Sequence, residues 1–135
     1  MSPVLPTVSA LYAAIFGLFA VFLTVRVIVL RVRTGIQVGD GGDPGLGQAI
    51  RAHANLAEHV PLALLLIVLA EMAGTNASIV LALGAALVVA RLANAWGLSH
   101  SLGPTTARQA GAGLTLLVVV AASLLIAYRL IPLLR

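Results

Sequence analysis

Cysteine and lysine are absent from this chain, and acidic and aromatic residues are scarce. Without cysteine there is no disulfide, no thiolate metal site and no cysteine nucleophile. All eight basic residues are arginines, set against only Asp40, Asp43, Glu58 and Glu71. The formal charge of +4 and the pI near 11.2 therefore reflect a shortage of charges rather than a basic surface. Arginines scattered along the whole chain do not make the dense basic face that nucleic acid requires. Charged residues are 9% of the sequence, against about 25% in an average soluble domain. With 61% hydrophobic residues and a mean hydropathy of +1.10, this is the composition of an integral membrane protein. A basic n-region is missing too, and the apolar run after Met1-Ser2-Pro3-Val4-Leu5-Pro6 is too long for an h-region, so the first helix is expected to stay in the mature protein.

What is present is four long apolar segments, predicting an all-α, four-span bundle in a single membrane domain over 1–135. Helix one is expected over about 7–32, helix two over about 47–73, helix three over about 76–99 and helix four over about 105–131. Arg26 sits short of the first helix end and is read as snorkelling to headgroups. The loop Gly39-Asp40-Gly41-Gly42-Asp43-Pro44-Gly45 carries turn formers but neither the Gly-Lys-Ser/Thr ending of a phosphate loop nor the oxygen spacing of a calcium loop. No metal site is expected. Helix two has to include the polar stretch from Gly47 onward, because the uncharged run His59–Ala70 has only 12 residues. Pro61 is expected to kink it, and Glu71 reads as an interfacial carboxylate. Trp96 and His100 suit the interface at the end of helix three. The loop Ser101-Leu102-Gly103-Pro104, with Thr105 or Thr106 as cap, starts helix four. Two small-residue ridges, Ala82/Ala86/Ala90 and Ala107/Gly111/Thr115, invite close helix packing.

The polar residues gather at one end. At about 100° per residue, Arg51, Asn55 and Glu58 fall within roughly 60° of arc on helix two, and His53 points about 160° away from Asn55. On helix three, Arg91, Asn94, Ala95 and Leu98 share a face. Arg31 and Arg108 stand at the same ends of helices one and four. Ionisable groups at membrane depth turn toward a protein interior or a wet cavity, which leaves two readings, a binding site or a buried salt-bridge network between helices. A buried Glu58 needs a cation, and Arg91 is the one at comparable depth, so these two are expected to pair. An ion or proton pathway fits less well, because the polar groups stop within one leaflet. Arg31, Arg33, Arg51 and Arg108 lie on the loop side against Arg129 and Arg135 opposite, which by the positive-inside bias puts the loops in the cytoplasm.

The run Arg51-Ala52-His53-Ala54-Asn55-Leu56-Ala57-Glu58, after an Arg-x-Arg helix end and before an arginine on helix three, resembles the membrane-associated proteins in eicosanoid and glutathione metabolism, the MAPEG family. The Gly-Asp-Gly-Gly loop and Glu58-His59-Val60-Pro61-Leu62-Ala63-Leu64 are most similar to its small bacterial inner-membrane branch. The resemblance implies a homotrimer of four-helix subunits in the bacterial inner membrane, with glutathione or another small thiol in a cleft between subunits, open to the cytoplasm. It implies that Arg51, Asn55 and Glu58 hold the tripeptide, that Arg91 braces Glu58, that Arg31 and Arg108 complete the polar wall with Asn94 beside them, and that Arg108 stabilises the thiolate. A guanidinium in a low-dielectric site favours the thiol's nucleophilic anion. The expected activity is a thiol-dependent transferase or peroxidase acting on a lipophilic electrophile from the bilayer. The alternative is a non-catalytic trimer that binds an anionic lipid or a partner protein. Leu98 and Asn94 stand where the eukaryotic enzymes carry a tyrosine and an aromatic or imidazole, which argues against prostaglandin or leukotriene chemistry.

Overall fold

A computed structural model describes residues 5–100, 103 and 105–134; the expected start of the chain, most of the loop 101–104 and Arg135 lie outside them. Four helices follow in order, α1 (Thr7–Thr34), α2 (Pro44–Met72), α3 (Ala77–His100) and α4 (Thr106–Leu130), and a short 3-10 turn (Ile131–Leu134) ends the described chain. Each of the four is long and apolar enough to cross a membrane.

Local chemistry sets the helix ends. Gly35, at φ 72°, takes the left-handed conformation that closes α1, and its N–H donates to the Arg31 carbonyl. Helix α2 begins three residues before the position expected from the sequence. Asp43 accepts from the Leu46 N–H at 2.7 Å while Pro44 occupies the first helical position, where its missing N–H costs nothing. The glycines that favoured a longer loop are overridden by this cap. Helix α2 then runs unbroken through Pro61. Thr105 caps α4, its hydroxyl accepting from the Arg108 N–H.

The bundle carries its large apolar side chains on both sides. Leu23, Leu56, Ile67, Leu87, Leu98 and Val118 fill the interior, while Leu18, Phe22, Leu117 and Leu124 stand exposed on the outer face, as a bilayer-facing surface permits. Helix α2 is central and packs against α1, α3 and α4. Helices α3 and α4 approach each other closely. A methyl group at Gly111 would sit 2.5 Å from the Ala90 carbonyl oxygen, and one at Gly97 would sit 2.6 Å from the Thr105 hydroxyl. The small residues Ala90, Gly111 and Thr115 are therefore spent on packing inside one chain; Ala82 is exposed and takes no part in it. Across the bundle, the Tyr12 ring lies in the notch left by Gly84, and its hydroxyl donates to the Leu81 carbonyl at 2.9 Å.

At the end away from the long loop, Glu71 is buried. Helix α1 has Pro6 at its N-cap and no side-chain cap of its own. Glu71 supplies the missing acceptor from the last turn of α2: it takes the Val8 N–H at 3.0 Å, the Ser9 N–H at 2.8 Å and the Ser9 hydroxyl at 2.5 Å. Read from the sequence as an interfacial carboxylate, Glu71 also caps another helix, because the free N–H groups of α1 need an acceptor and α1 has no side-chain cap.

Candidate functional site in the loop-side half of the bundle

The polar centre is built around Arg91, 2% exposed. Its Nη1 donates to the Asn55 side-chain oxygen at 2.8 Å. Its Nη2 donates to the Gly111 carbonyl at 3.1 Å and to the Thr115 hydroxyl at 2.5 Å. Thr115 in turn donates to the Gly111 carbonyl at 2.9 Å. Helices α2, α3 and α4 are thus tied together at one guanidinium. Arg91 Nε has no hydrogen-bond partner among the described residues, and Arg91 borders a small void of about 10 Å³, the room taken by a single water.

The expected Glu58–Arg91 pair does not form. Glu58 is exposed and makes no ion pair among the described residues. The reason is azimuthal: Asn55 stands about 60° round the helix from Glu58, and that rotation turns Asn55 inward to α3 while Glu58 faces out. Arg51 also points outward, exposed and with no hydrogen-bond partner among the described residues. The polar stripe of α2 therefore straddles an edge, with one member in the interior and two outside.

Asn55, Asn94, Arg108, Gln109 and Ala112 line an open cleft of about 210 Å³. Asn94 is buried, and its amide nitrogen lies 3.5 Å from the Arg108 carbonyl. Arg108 is half-buried, and its Nη1 donates to the Gly103 carbonyl at 2.8 Å. Three residues read from the sequence as site residues, Asn55, Asn94 and Arg108, meet at this cleft, and Arg91 stands directly behind it. Arg31 does not join them. Its Nη1 is held by the carbonyls of Ile36, Gln37 and Gly39, at 3.1, 3.0 and 3.0 Å, so within one chain it clamps the loop after α1 rather than walling the cleft. Arg26, half-buried, donates to the Ser99 hydroxyl of α3 at 3.2 Å. His53 is half-buried and borders an apolar groove between α1 and α2, beside Phe16, Gly17 and Pro61.

Two contributors escaped the sequence reading. Gln109 follows Arg108 with nothing in its spacing to mark it. Thr115 was legible only as a small residue, although a hydroxyl two turns after Arg108 in a segment of Leu, Val and Ala is a signal for a buried hydrogen-bond partner. Among the described residues no group of His, Asp or Glu is arranged to hold a metal ion.

A four-helix membrane bundle with an arginine-centred polar cleft in one half defines the class of protein. Residues 9–128 match the MAPEG family. The chain is also 37% identical over 95 residues to the Inner membrane protein YecN of Escherichia coli (strain K12), covering 70% of this chain and 72% of that one, and equally similar to its counterpart in Escherichia coli O6:H1. The chain belongs to the MAPEG family.

Proposed function

We propose that this protein is a glutathione-dependent transferase or peroxidase of the bacterial inner membrane, acting on lipophilic electrophiles, with its site completed between the subunits of a homotrimer. The observation that carries the reading is the cleft where Asn55, Asn94, Arg108 and Gln109 converge in an otherwise apolar bundle. At about 210 Å³ it is smaller than the roughly 300–1,000 Å³ of a typical ligand site. A tripeptide needs a second wall, and a neighbouring chain supplies one. The same neighbour accounts for Arg51 and Glu58, which face outward from a membrane helix; an acidic side chain left in lipid at mid-helix costs about 3 kcal/mol. Against a second subunit they line the far side of the cleft and reach the ligand's charged ends.

In this reading Arg108 acts on the sulfur. A thiol of pKa about 8.5 is mostly protonated at neutral pH, and a guanidinium beside it in a desolvated site favours the thiolate. The thiolate attacks an electrophilic carbon whose leaving group departs with the bonding pair, or the distal oxygen of a hydroperoxide, breaking the O–O bond so that the alkoxide leaves and takes up a proton, after which a second glutathione converts the sulfenic acid to the disulfide and water. The substrate enters sideways from the bilayer, and the arginine-rich loop side faces the cytoplasm, where glutathione is available. Titration of the detergent-purified protein with glutathione, followed by calorimetry and by the ultraviolet absorbance of the thiolate, tests the reading. Binding with a thiolate signal is expected. Neither affinity nor signal for glutathione or another cellular thiol defeats it.

A second reading has its own observation. Arg26 and Arg33 flank a groove of about 420 Å³ floored by Phe22, Val25 and Val29 on the outside of α1, a shape suited to an anionic phospholipid with its headgroup at the two guanidinium groups. A non-catalytic, lipid-binding trimer would retain such lipid through purification and show no response to thiols.

A further inference from the structure

Arginine has donors and no acceptor, so the Asn55 atom held at 2.8 Å by Arg91 Nη1 has to be the amide oxygen. The orientation of this amide is therefore fixed by chemistry. Its nitrogen, the other end of the same planar group, has no partner among the described residues, and Asn55 lines the cleft. The guanidinium that imposes this orientation is itself held from behind. Thr115, 1% exposed, spends its proton on the Gly111 carbonyl and so turns a lone pair to Arg91 Nη2. Thr115 is not among the residues that line the cleft. Whatever it contributes to a ligand passes through Arg91 and Asn55.

We propose that Thr115 is a positioning residue for ligand recognition: through Arg91 it locks the Asn55 side chain with its N–H groups toward the cleft, making Asn55 a donor that selects a ligand oxygen, a carboxylate or peptide carbonyl. This rests on the cleft being the thiol-ligand site. Without the hydroxyl, Arg91 loses one of its fixed points at the fully buried end of its guanidinium, and the Asn55 amide is free to present either end. A donor that is held in one orientation binds an acceptor without paying to order itself, whereas one that turns over offers the oxygen part of the time and repels a carboxylate.

The test compares Thr115→Val, which keeps the shape and removes the hydroxyl, with Thr115→Ser, which keeps the hydroxyl. The first readout needs no ligand: the side-chain amide signals of Asn55 in the proton–nitrogen spectrum of the detergent-solubilised protein, identified by their loss in Asn55→Ala. A single, well-resolved pair is expected in the unmodified protein and in Thr115→Ser, and a shifted, broadened pair in Thr115→Val with helix content unchanged. The second readout is glutathione affinity, expected to fall about tenfold in Thr115→Val, the equivalent of ~1.4 kcal/mol, and to be restored in Thr115→Ser. Asn55→Asp keeps an oxygen for Arg91 and removes the donor, and its affinity is expected to fall by at least as much. If Thr115→Val does not fold, Arg91→Lys replaces it, since a single ammonium cannot span Asn55 and Thr115 as the fork does, and the same broadening is expected. Unchanged Asn55 signals in Thr115→Val, or full affinity in Asn55→Asp, overturn the proposal. Absence of any glutathione binding by the unmodified protein defeats the functional reading instead, and the amide signals still decide whether Thr115 positions Asn55.

Discussion

Three arginines at nearly the same level of the bundle have three different neighbourhoods, and their substitutions separate accordingly. Arg91 is buried with its partners on two helices besides its own, so Arg91→Met strands the Asn55 oxygen and takes a charged donor from the Thr115 hydroxyl and the Gly111 carbonyl, and is expected to cost about 2–4 kcal/mol, read from unfolding in mixed detergent. Glu58 has no part in that network, so Glu58→Gln is expected to leave stability nearly unchanged and the double variant to be additive within about 0.5 kcal/mol. Strong non-additivity would restore a direct Glu58–Arg91 pair. Arg108 borders the cleft without being a keystone of the bundle. Arg108→Ala is expected to leave the fold intact and glutathione binding modestly reduced, while abolishing the thiolate absorbance and the conjugation of a chlorodinitrobenzene, because the interaction removed favours the anion specifically. Arg51 has no hydrogen-bond partner among the described residues, and Arg51→Ala is expected to weaken binding itself. Equal loss of binding and thiolate signal in both variants would remove the distinction between holding the ligand and ionising it.

At the scale of elements, two glycines on α4 make a controlled comparison. An added methyl at Gly111 meets the Ala90 carbonyl, whereas one at Gly113 meets nothing within 4 Å. Gly111→Ala is expected to cost about 1–3 kcal/mol through overpacking, and Gly113→Ala to be neutral or to stabilise by up to about 1 kcal/mol through helix propensity. Equal effects would mean that the α3–α4 approach is looser than described. The four helices were legible because hydropathy and length alone decide what spans a bilayer, and Asn55, Asn94 and Arg108 were legible because polar residues in such helices have few places to go. The partner of Arg91 was not. Sequence spacing orders residues by depth, and Glu58 and Arg91 are close in depth, but which azimuth of α2 meets α3 depends on packing by residues such as Leu56, Leu87 and Gly111 that carry no charge. The start of α2 was available in Asp43-Pro44, a capping signal outweighed by the glycines around it. The Glu71 cap was hidden for another reason: its donors, Val8 and Ser9, lie more than sixty positions away in the chain.

For the whole molecule, the proposed trimer makes two expectations that a cysteine-free chain is well placed to check. Native mass spectrometry of the detergent-solubilised protein is expected to show three copies, and a stable monomer would contradict the shared site. A single cysteine at exposed Val38 is expected to react with an impermeant maleimide only in inverted membrane vesicles; reaction from the outer side would reverse the assigned orientation and leave the arginine-rich mouth facing the wrong compartment for glutathione.

The clamp of Glu71 on the first turn of α1 bears on how such a chain enters the membrane. Every side-chain hydrogen bond that Glu71 makes among the described residues is to a residue synthesised before it, Val8 or Ser9, so the α1–α2 hairpin carries its own latch and can set its register before α3 has been made. The next helix, α3, then docks on the finished hairpin by receiving the Tyr12 ring in its Gly84 notch and the Tyr12 hydroxyl at its Leu81 carbonyl. Assembly in this order protects the polar cleft, which needs α4, from being built on a misaligned frame. Glu71→Gln is expected to weaken the latch by about 1–2 kcal/mol and to show itself less in the properties of the mature protein than in the yield of newly inserted chains, with a larger share cleared by quality-control proteases. A mature protein destabilised to that extent but inserted at full yield would show that register is set elsewhere.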